Sequence, residues 1–296
     1  MAKIKYRKKR MEPNIAFLEQ KANDIRQDIV KALLNAGSGH SAGPLGMADV
    51  FTALYFHVMK HDPQNPKWEE RDRLVLSAGH ICPVLYSTLA NAGYFPREEF
   101  TATLRKLGTR LHGHPHNLAA PWLENSAGPL GQGTSIAAGM ALAGLMDSKR
   151  WRVYCVTGDG ELQEGQCWEA IWFAGKNRLH NLTFLVDRNN IQIDGFTEDV
   201  MPLEPLVDKF KAFGWHVLEV DGHNFHEIID ACGEAKSIFE KPTVILCHTI
   251  PGKGVDFMEW KFEWHGKPPN KQEAEVALKE LNDLRSLGGQ IKGEHQ

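Results

Sequence analysis

Between residues 14 and 34, NIAFLEQKANDIRQDIVKALL, apolar positions recur at helical spacing and Gly37 follows as a stop signal. SAGPLGMADVFTALYFHVM (41–59) predicts a loop feeding a second helix, and PVLYSTLANAG (83–93) a third that runs to Gly93. Between them DRLVLSAGH (72–80) reads as a short apolar strand with a loop at Ser77–His80. IAAGMALAGLM (136–146) is a small-residue helix suited to close packing. Strand and helix patterns then alternate: WRVYCVTG, EGQCWEAIWFAGKNR, NLTFLVDRN, LVDKFKAFG, WHVLEVDG, FHEIIDACGEAKSIF and PTVILCHTI. That alternation predicts an α/β fold, a doubly wound and mostly parallel sheet with helices on both faces. NKQEAEVALKELNDLRSLGG reads as a terminal helix with a frayed end. One domain over 13–285 is expected, between a basic flexible tail at 1–12 and a flexible tail at 286–296.

Residues 108–135, GTRLHGHPHNLAAPWLENSAGPLGQGTS, carry no periodic pattern. A stretch that long inside a compact domain is functional or disordered.

Composition narrows the class. Hydrophobic residues make up 42% and charged residues 24%, which suits a soluble globular chain. The net charge of −3 argues against a general nucleic-acid binder. The first ten residues depart from this, with Lys3, Lys5, Arg7, Lys8, Lys9 and Arg10 crowded together. A nucleic-acid arm is one reading of that run and a solvated tail the plainer one. Nothing resembles a secretory signal or an apolar run long enough to span a membrane. The five cysteines show no C-x-x-C pair, so neither a disulfide framework nor a cysteine zinc site is supported. The expected compartment is reducing, hence the cytoplasm.

The chemistry concentrates at two predicted strand ends. Gly158-Asp159-Gly160 follows one strand, and Asp187 to Asn190 ends the next. Ligands bind beyond the carboxyl ends of an open parallel sheet. If the strands are neighbours, Asp159 and Asn189 meet there as hard oxygen ligands for Mg²⁺ or Ca²⁺. Gly158 and Gly160 let backbone approach an anion, and a helix opening after Gly160 would point free amides at it. A metal and a diphosphate fit such a site. A plain strand-to-helix turn is the alternative for Gly-Asp-Gly alone, and the Asn pair tips the balance. GPLGQG at 128–133 lacks the G-x-G-x-x-G order, and no G-x-x-x-x-G-K-[ST] occurs, so the usual nucleotide motifs are absent.

GDGELQEG, a helix and then RNNIQIDG resemble the thiamine diphosphate motif in its transketolase form. GSGHSAGPLG (37–46), SAGHICPVLY (77–86), GHP (113–115), GPLGQG (128–133) and WHGKPP (264–269) are similar, in order, to further transketolase landmarks. The resemblance implies Mg²⁺ (or Ca²⁺) on Asp159, Asn189 and the Ile191 carbonyl. It implies thiamine diphosphate held by His80, His265, Gly158, Gly160 and Glu161, with Gly128, Leu130 and their loop beside the aminopyrimidine. His265 would also face the reacting substrate. His40 and His114 would handle hydroxyl protons there, a task that suits a side chain with neutral and charged forms both accessible near pH 7. Glu164 would couple paired active sites across an interface.

Plainer readings stand beside these. His40 after Gly-Ser-Gly could be a surface loop residue, His265 a packed aromatic, and Glu164 a helix-capping group. In LHGHPHN, His112, His114 and His116 alternate and could bind zinc if extended. No acid completes a zinc motif there and Pro115 makes it a loop, so substrate contact by His114 is preferred. His223 and His226 in HNFHE read as an ordinary turn.

The carboxylate that activates the thiamine ring in transketolases belongs to a pyrimidine-binding domain that the landmarks here do not include. The resemblance therefore implies the N-terminal subunit of a split transketolase. Its partner would be a C-terminal subunit with the pyrimidine-binding and C-terminal domains, two copies of each chain forming a heterotetramer. The implied reaction moves a two-carbon ketol unit from a ketose (phosphate) to an aldose (phosphate). Alternatives are a subunit of a deoxyxylulose phosphate synthase-like or 2-oxoacid-decarboxylating enzyme, or a non-catalytic binding subunit. GDGELQEG and WHGKPP favour transketolase.

Overall fold

The run VYCV has no polar face to offer water, and it lies in the interior of a five-stranded parallel sheet. The structure, a computed structural model, describes residues 12–286. Its elements in chain order are α1 (Ile15–Ala36), α2 (Ala42–Gly46), α3 (Ala48–Ala53), β1 (Arg73–Leu76), α4 (Cys82–Asn91), α5 (Arg97–Thr103), α6 (Gln132–Met146) and β2 (Val153–Gly158). There follow α7 (Gly165–Lys176), β3 (Leu182–Arg188), β4 (Ile191–Gln192), β5 (Gly195–Phe196), α8 (Thr197–Val200), α9 (Leu206–Ala212), β6 (His216–Asp221), α10 (Phe225–Ala235), β7 (Thr243–His248) and α11 (Lys271–Ser286). The sheet order is β1-β2-β3-β7-β6 with every neighbour parallel, and β4 and β5 form a small antiparallel pair.

Period-two alternation assigns the side chains to two cores. Tyr154, Val156, Leu185 and Ile245 pack with α1 to α5, α10 and α11. Val153, Cys155, Phe184 and Val186 pack with α6, α7 and α9 on the other face. The doubly wound expectation therefore holds, as does the terminal helix. Among the described residues no helix is long and apolar enough to cross a membrane. All five cysteines are free and buried. Ser286, where the expected tail at 286–296 begins, still belongs to α11; the basic run Lys3 to Arg10 and residues 287–296 lie outside the described residues.

Boundaries moved where local chemistry competed with periodicity. The loop feeding a helix expected over 41–59 is instead helical from Ala42, in three short pieces: α2, α3 and a π-helical turn at Leu54–Val58. Gly46 explains the first break: a Cβ there would lie 2.9 Å from the Ile250 carbonyl, so the chain turns to let that backbone in. The helix α5, the β4–β5 pair and α8 carried no clear signal and are too short to show a period.

One buried charge locks the helical side of this frame. Arg26 on α1 is 1% exposed. It donates from Nη1 and Nη2 to Asp49 on α3 at 3.1 and 2.5 Å, and from Nε to the Leu45 carbonyl at 3.0 Å. His223 Nδ1 donates to Asp49 Oδ2 at 2.7 Å, and His223 Nε2 accepts from Ile250 N at 2.8 Å. His223 is thus a neutral structural link, as its turn context suggested. Burial alone would raise Asp49, but Arg26 and His223 outweigh it and hold the carboxyl at about 2.

Arg26→Met should cost roughly 3–5 kcal/mol by leaving Asp49 buried without its main partner. Chemical denaturation at pH 7 checks this, and an unshifted midpoint refutes it. In the wild type, Asp49 contributes its stabilisation above its ordinary 3.8 and loses it as pH falls toward about 2. That acid limb should be weaker in the variant.

Candidate active site

The register that pairs Gly158 with Asp187 brings the ends of β2 and β3 side by side. Asp159, 1% exposed, lies just beyond that pairing. Its Oδ1 accepts from Gly160 N at 2.7 Å. Its Oδ2 accepts from Asn190 N at 2.7 Å and from Arg188 Nη1 at 3.1 Å. Asn190 reaches it because its backbone is left-handed, φ 63°, a conformation asparagine tolerates better than most residues. Asn189 faces the same cavity; its Nδ2 donates to Asp187 Oδ2 at 2.8 Å and its Oδ1 accepts from Ile191 N at 3.0 Å. Thr249 Oγ1 donates to the other Asp187 oxygen.

The helix read from EGQCWEAIWFAGKNR is α7, with Glu164 as its N-cap, but it does not follow Gly160 directly. A 3₁₀ turn occupies Gly160–Gln163 and α7 starts at Gly165. Glu161 supplies the reason. Its carboxylate, 2% exposed, accepts from Ser77 Oγ at 2.5 Å, Gly131 N at 2.7 Å and Gly158 N at 3.3 Å. One side chain thus ties the loop after β1, the glycine loop before α6 and the end of β2. Glu161 lines the cavity with these oxygens already engaged.

That cavity, about 410 Å³, is lined by His40, His80, His114 and His265 together with Gly128, Leu130, Gly158, Asp159, Gly160, Asn189 and Ile191. The rings of His40, His80 and His265 form a triangle with centroids 5.0, 5.7 and 5.0 Å apart. Ser41 Oγ donates to the Lys267 carbonyl at 2.6 Å, joining the loops that carry His40 and His265. Burial lowers His40 to about 4, with His265, His114 and Arg105 adding to it. Burial also lowers His265 to about 4 and takes His80 well below its ordinary range. His114 is lowered by burial and then by Arg105. The expectation that both protonation states lie within reach near pH 7 is corrected here: packed together, these imidazoles are neutral. His40 Nδ1 and His265 Nδ1 are buried with no hydrogen-bond partner, so both can serve a ligand.

Glu164 lies at the exposed rim of the cavity. His112 and His116 stack on each other, centroids 5.4 Å apart, and do not line the cavity. Among the described residues no group of three or more His, Cys, Asp or Glu side chains is placed to hold a metal, and of the three alternating histidines His114 alone lines the cavity.

Sequence reading missed Asp187, Arg188, Asn190 and Ser77. The first three lie inside the quoted DRNN; the roles of Asp187 and Arg188 depend on which way each side chain turns at the strand end, and that of Asn190 on its left-handed backbone. Ser77 gave no signal, because its partner lies on another loop.

The charge balance bears on what the site holds. Among the described residues, Arg188 is the cation that meets Asp159, Glu198 and Glu204, at 3.1, 2.7 and 2.9 Å. Burial raises Asp159 to about 6 against the pull of Arg188, and burial raises Asp187 to about 7 with Asp159 behind it. Buried carboxylates outnumber their counter-charges, so a divalent cation fits. Asp159, Asn189 and the Ile191 carbonyl are oxygen donors of the hard kind such cations take. An anion paired with that cation fits among the imidazoles and beside the glycines.

A family model described as "Transketolase, thiamine diphosphate binding domain" matches residues 18–283. The chain is 47% identical over 264 residues to the 6-deoxy-6-sulfo-D-fructose transketolase subunit SqwG of Clostridium sp. (strain MSTE9), a match covering 89% of this chain and 96% of that one. It is 40% identical over 269 residues to one subunit of the apulose-4-phosphate transketolase of Phocaeicola vulgatus, covering 91% and 95%. The crystal structure of transketolase from Campylobacter jejuni superposes with a TM-score of 0.86 at 36% identity, covering 91% of this chain and 43% of that one. The chain therefore belongs to the transketolase family, as a thiamine diphosphate-binding domain of the length found in its separately encoded subunits.

Proposed function

We propose that this chain is the N-terminal subunit of a split transketolase. With a C-terminal subunit it transfers a two-carbon ketol unit from a ketose, in phosphorylated or related anionic form, to an aldose. The observation that carries the reading is the gathering of Asp159, Asn189 and four neutral histidines around one cavity. A partner is supported by the match in length to a transketolase subunit, 96%, against 43% of a full-length transketolase. Two copies of each chain would complete the assembly, with Glu164 at the rim facing the junction. The five buried free thiols suit the reducing cytoplasm.

In this reading Asp159, Asn189 and the Ile191 carbonyl hold Mg²⁺ or Ca²⁺, and His80, Gly158 and Gly160 take the diphosphate. Gly128 and Leu130 flank the ring system. When bound, thiamine diphosphate supplies the nucleophile and electron sink for breaking and making the carbon–carbon bond. The chain's own residues orient, exclude water and handle protons. Neutral His40 and His114 accept a proton from a substrate hydroxyl and return it, which requires the unprotonated form that burial enforces. His265, with its unpartnered Nδ1, spans the diphosphate and substrate sides. Glu161 keeps the loops in place so that ordering them does not fall on the ligand.

Asp159→Ala should weaken metal-dependent thiamine diphosphate binding by more than the roughly 10–100-fold typical of losing an outer partner of a metal site. Calorimetry with and without Mg²⁺ reads it, and equal affinities for variant and wild type count against the site. The chain alone should show no ketol transfer and should gain it when mixed with its C-terminal partner. Full activity of the purified chain alone overturns the split arrangement, and turnover of pyruvate in place of a ketose donor indicates a different thiamine enzyme.

A further inference from the structure

Arg105 has a side chain and a left-handed backbone, φ 60°. That conformation disfavours a long side chain, and such outliers gather where the surrounding structure has a use for them. Here the surroundings are well determined. Leu104 and Leu111 are both buried, and Arg105 N donates to the Leu111 carbonyl at 2.8 Å. The turn between them is held at both ends, which fixes where the Arg105 side chain starts.

It goes to the loops that carry His40 and His114. Arg105 Nε donates to Ser38 Oγ at 2.9 Å, and Nη1 reaches the Gly113 carbonyl at 3.4 Å. A Cβ on Gly113 would stand 2.6 Å from the Arg105 Cζ, so that glycine is the seat of the guanidinium. A Cβ on Gly39 would meet the Arg105 Cδ at 3.7 Å as well as Leu33 Cδ2 at 2.7 Å. Gly39 immediately precedes His40 and Gly113 immediately precedes His114. From below, Cys82 Sγ contacts the same Gly113 carbonyl at 3.2 Å.

We propose that Arg105 is a positioning residue that clasps the His40 and His114 loops at one separation, so that both imidazoles address the same substrate. This rests on the reading that these two histidines face substrate. The other ties around the cavity join different loops: Ser41 ties the His40 loop to the His265 loop, and Glu161 ties the glycine loop to the strand ends. The guanidinium also adds a positive charge beside both imidazoles. His40 faces His80, His114, His265 and Arg105, and His114 faces His40 and Arg105. The clasp thus reinforces the neutral state already set by burial.

Three variants separate geometry from charge. Arg105→Lys keeps the charge and loses the fork, Arg105→Met loses both, and Ser38→Ala loses one arm. In the complex with the partner subunit, all three should lower kcat/KM for a ketose donor. Arg105→Met should fall on the order of 10- to 100-fold, the scale of an ångström-size misplacement. Thiamine diphosphate affinity by calorimetry should hold, because the clasp touches no cofactor-side residue. In the chain alone, imidazole NMR should show the His40 and His114 midpoints rising in Arg105→Met and staying put in Arg105→Lys. Wild-type kcat/KM in both Arg105 variants, midpoints that do not move in Arg105→Met, or a loss of cofactor affinity equal to the loss of kcat/KM would each overturn the clasp. If the wild-type complex performs no ketol transfer, the functional reading has failed instead, and the NMR midpoints decide the clasp by themselves.

Discussion

Asp159 is a carboxylate that water does not reach, and much of the site follows from how the chain answers that charge. Left alone, such a group would take up a proton rather than stay ionised in the interior. Three protein donors meet it: the amides of Gly160 and Asn190 and the guanidinium of Arg188. Each of these dictates something further. Gly160 sets the turn out of β2, Asn190 requires the left-handed backbone after β3, and Arg188 draws in Glu198 and Glu204. The neutralisation is incomplete, which is what makes the place suited to a divalent cation rather than to one more hydrogen bond.

The histidines obey the opposite logic. They are packed close enough that protonating one penalises the others, and burial disfavours all of them. A neutral imidazole carries one donor and one acceptor nitrogen, so a ring can donate one hydrogen bond and accept another while staying uncharged. An anion held among them would favour their charged forms. The cation-hungry corner at Asp159 and the anion-tolerant cluster at His40, His80 and His265 border one cavity. A ligand with a metal-bound diphosphate at one end answers both.

How much of this was legible depended on the kind of information involved. The strands β2, β3 and β7 were plain because both faces are buried and the apolar runs are unbroken. That Asp159 and Asn189 meet could be reasoned from strand order, since neighbouring parallel strands release their ends at the same edge. The start of α7 was legible, but the 3₁₀ turn between Gly160 and it was not, because periodicity cannot see Glu161 turning back to Ser77 and Gly131. The basis for histidine function was misjudged for a similar reason. A proton affinity is a property of the packed group, and neighbours such as His40 and His265 are separated by most of the chain. The short elements α5, α8 and the β4–β5 pair were invisible because a few residues carry no period. Arg105 stayed hidden because nothing in its local sequence marks a left-handed backbone.

Pairing order has a consequence for how the chain is made. Strand β1 sits at one edge of the sheet, and Arg73 finds its partner only at Val153. At about 5–20 residues per second, the ribosome needs several seconds to deliver β2 after β1 has emerged. Throughout that interval the apolar face of α1, α3 and α4 has no sheet to close against. The His80 and His114 loops are synthesised in the same window and the His40 loop earlier still, all before the strands that will hold them. Assembly of the cavity is therefore a late event in biosynthesis, and a chain stalled before β2 presents its most adhesive surface to the cell.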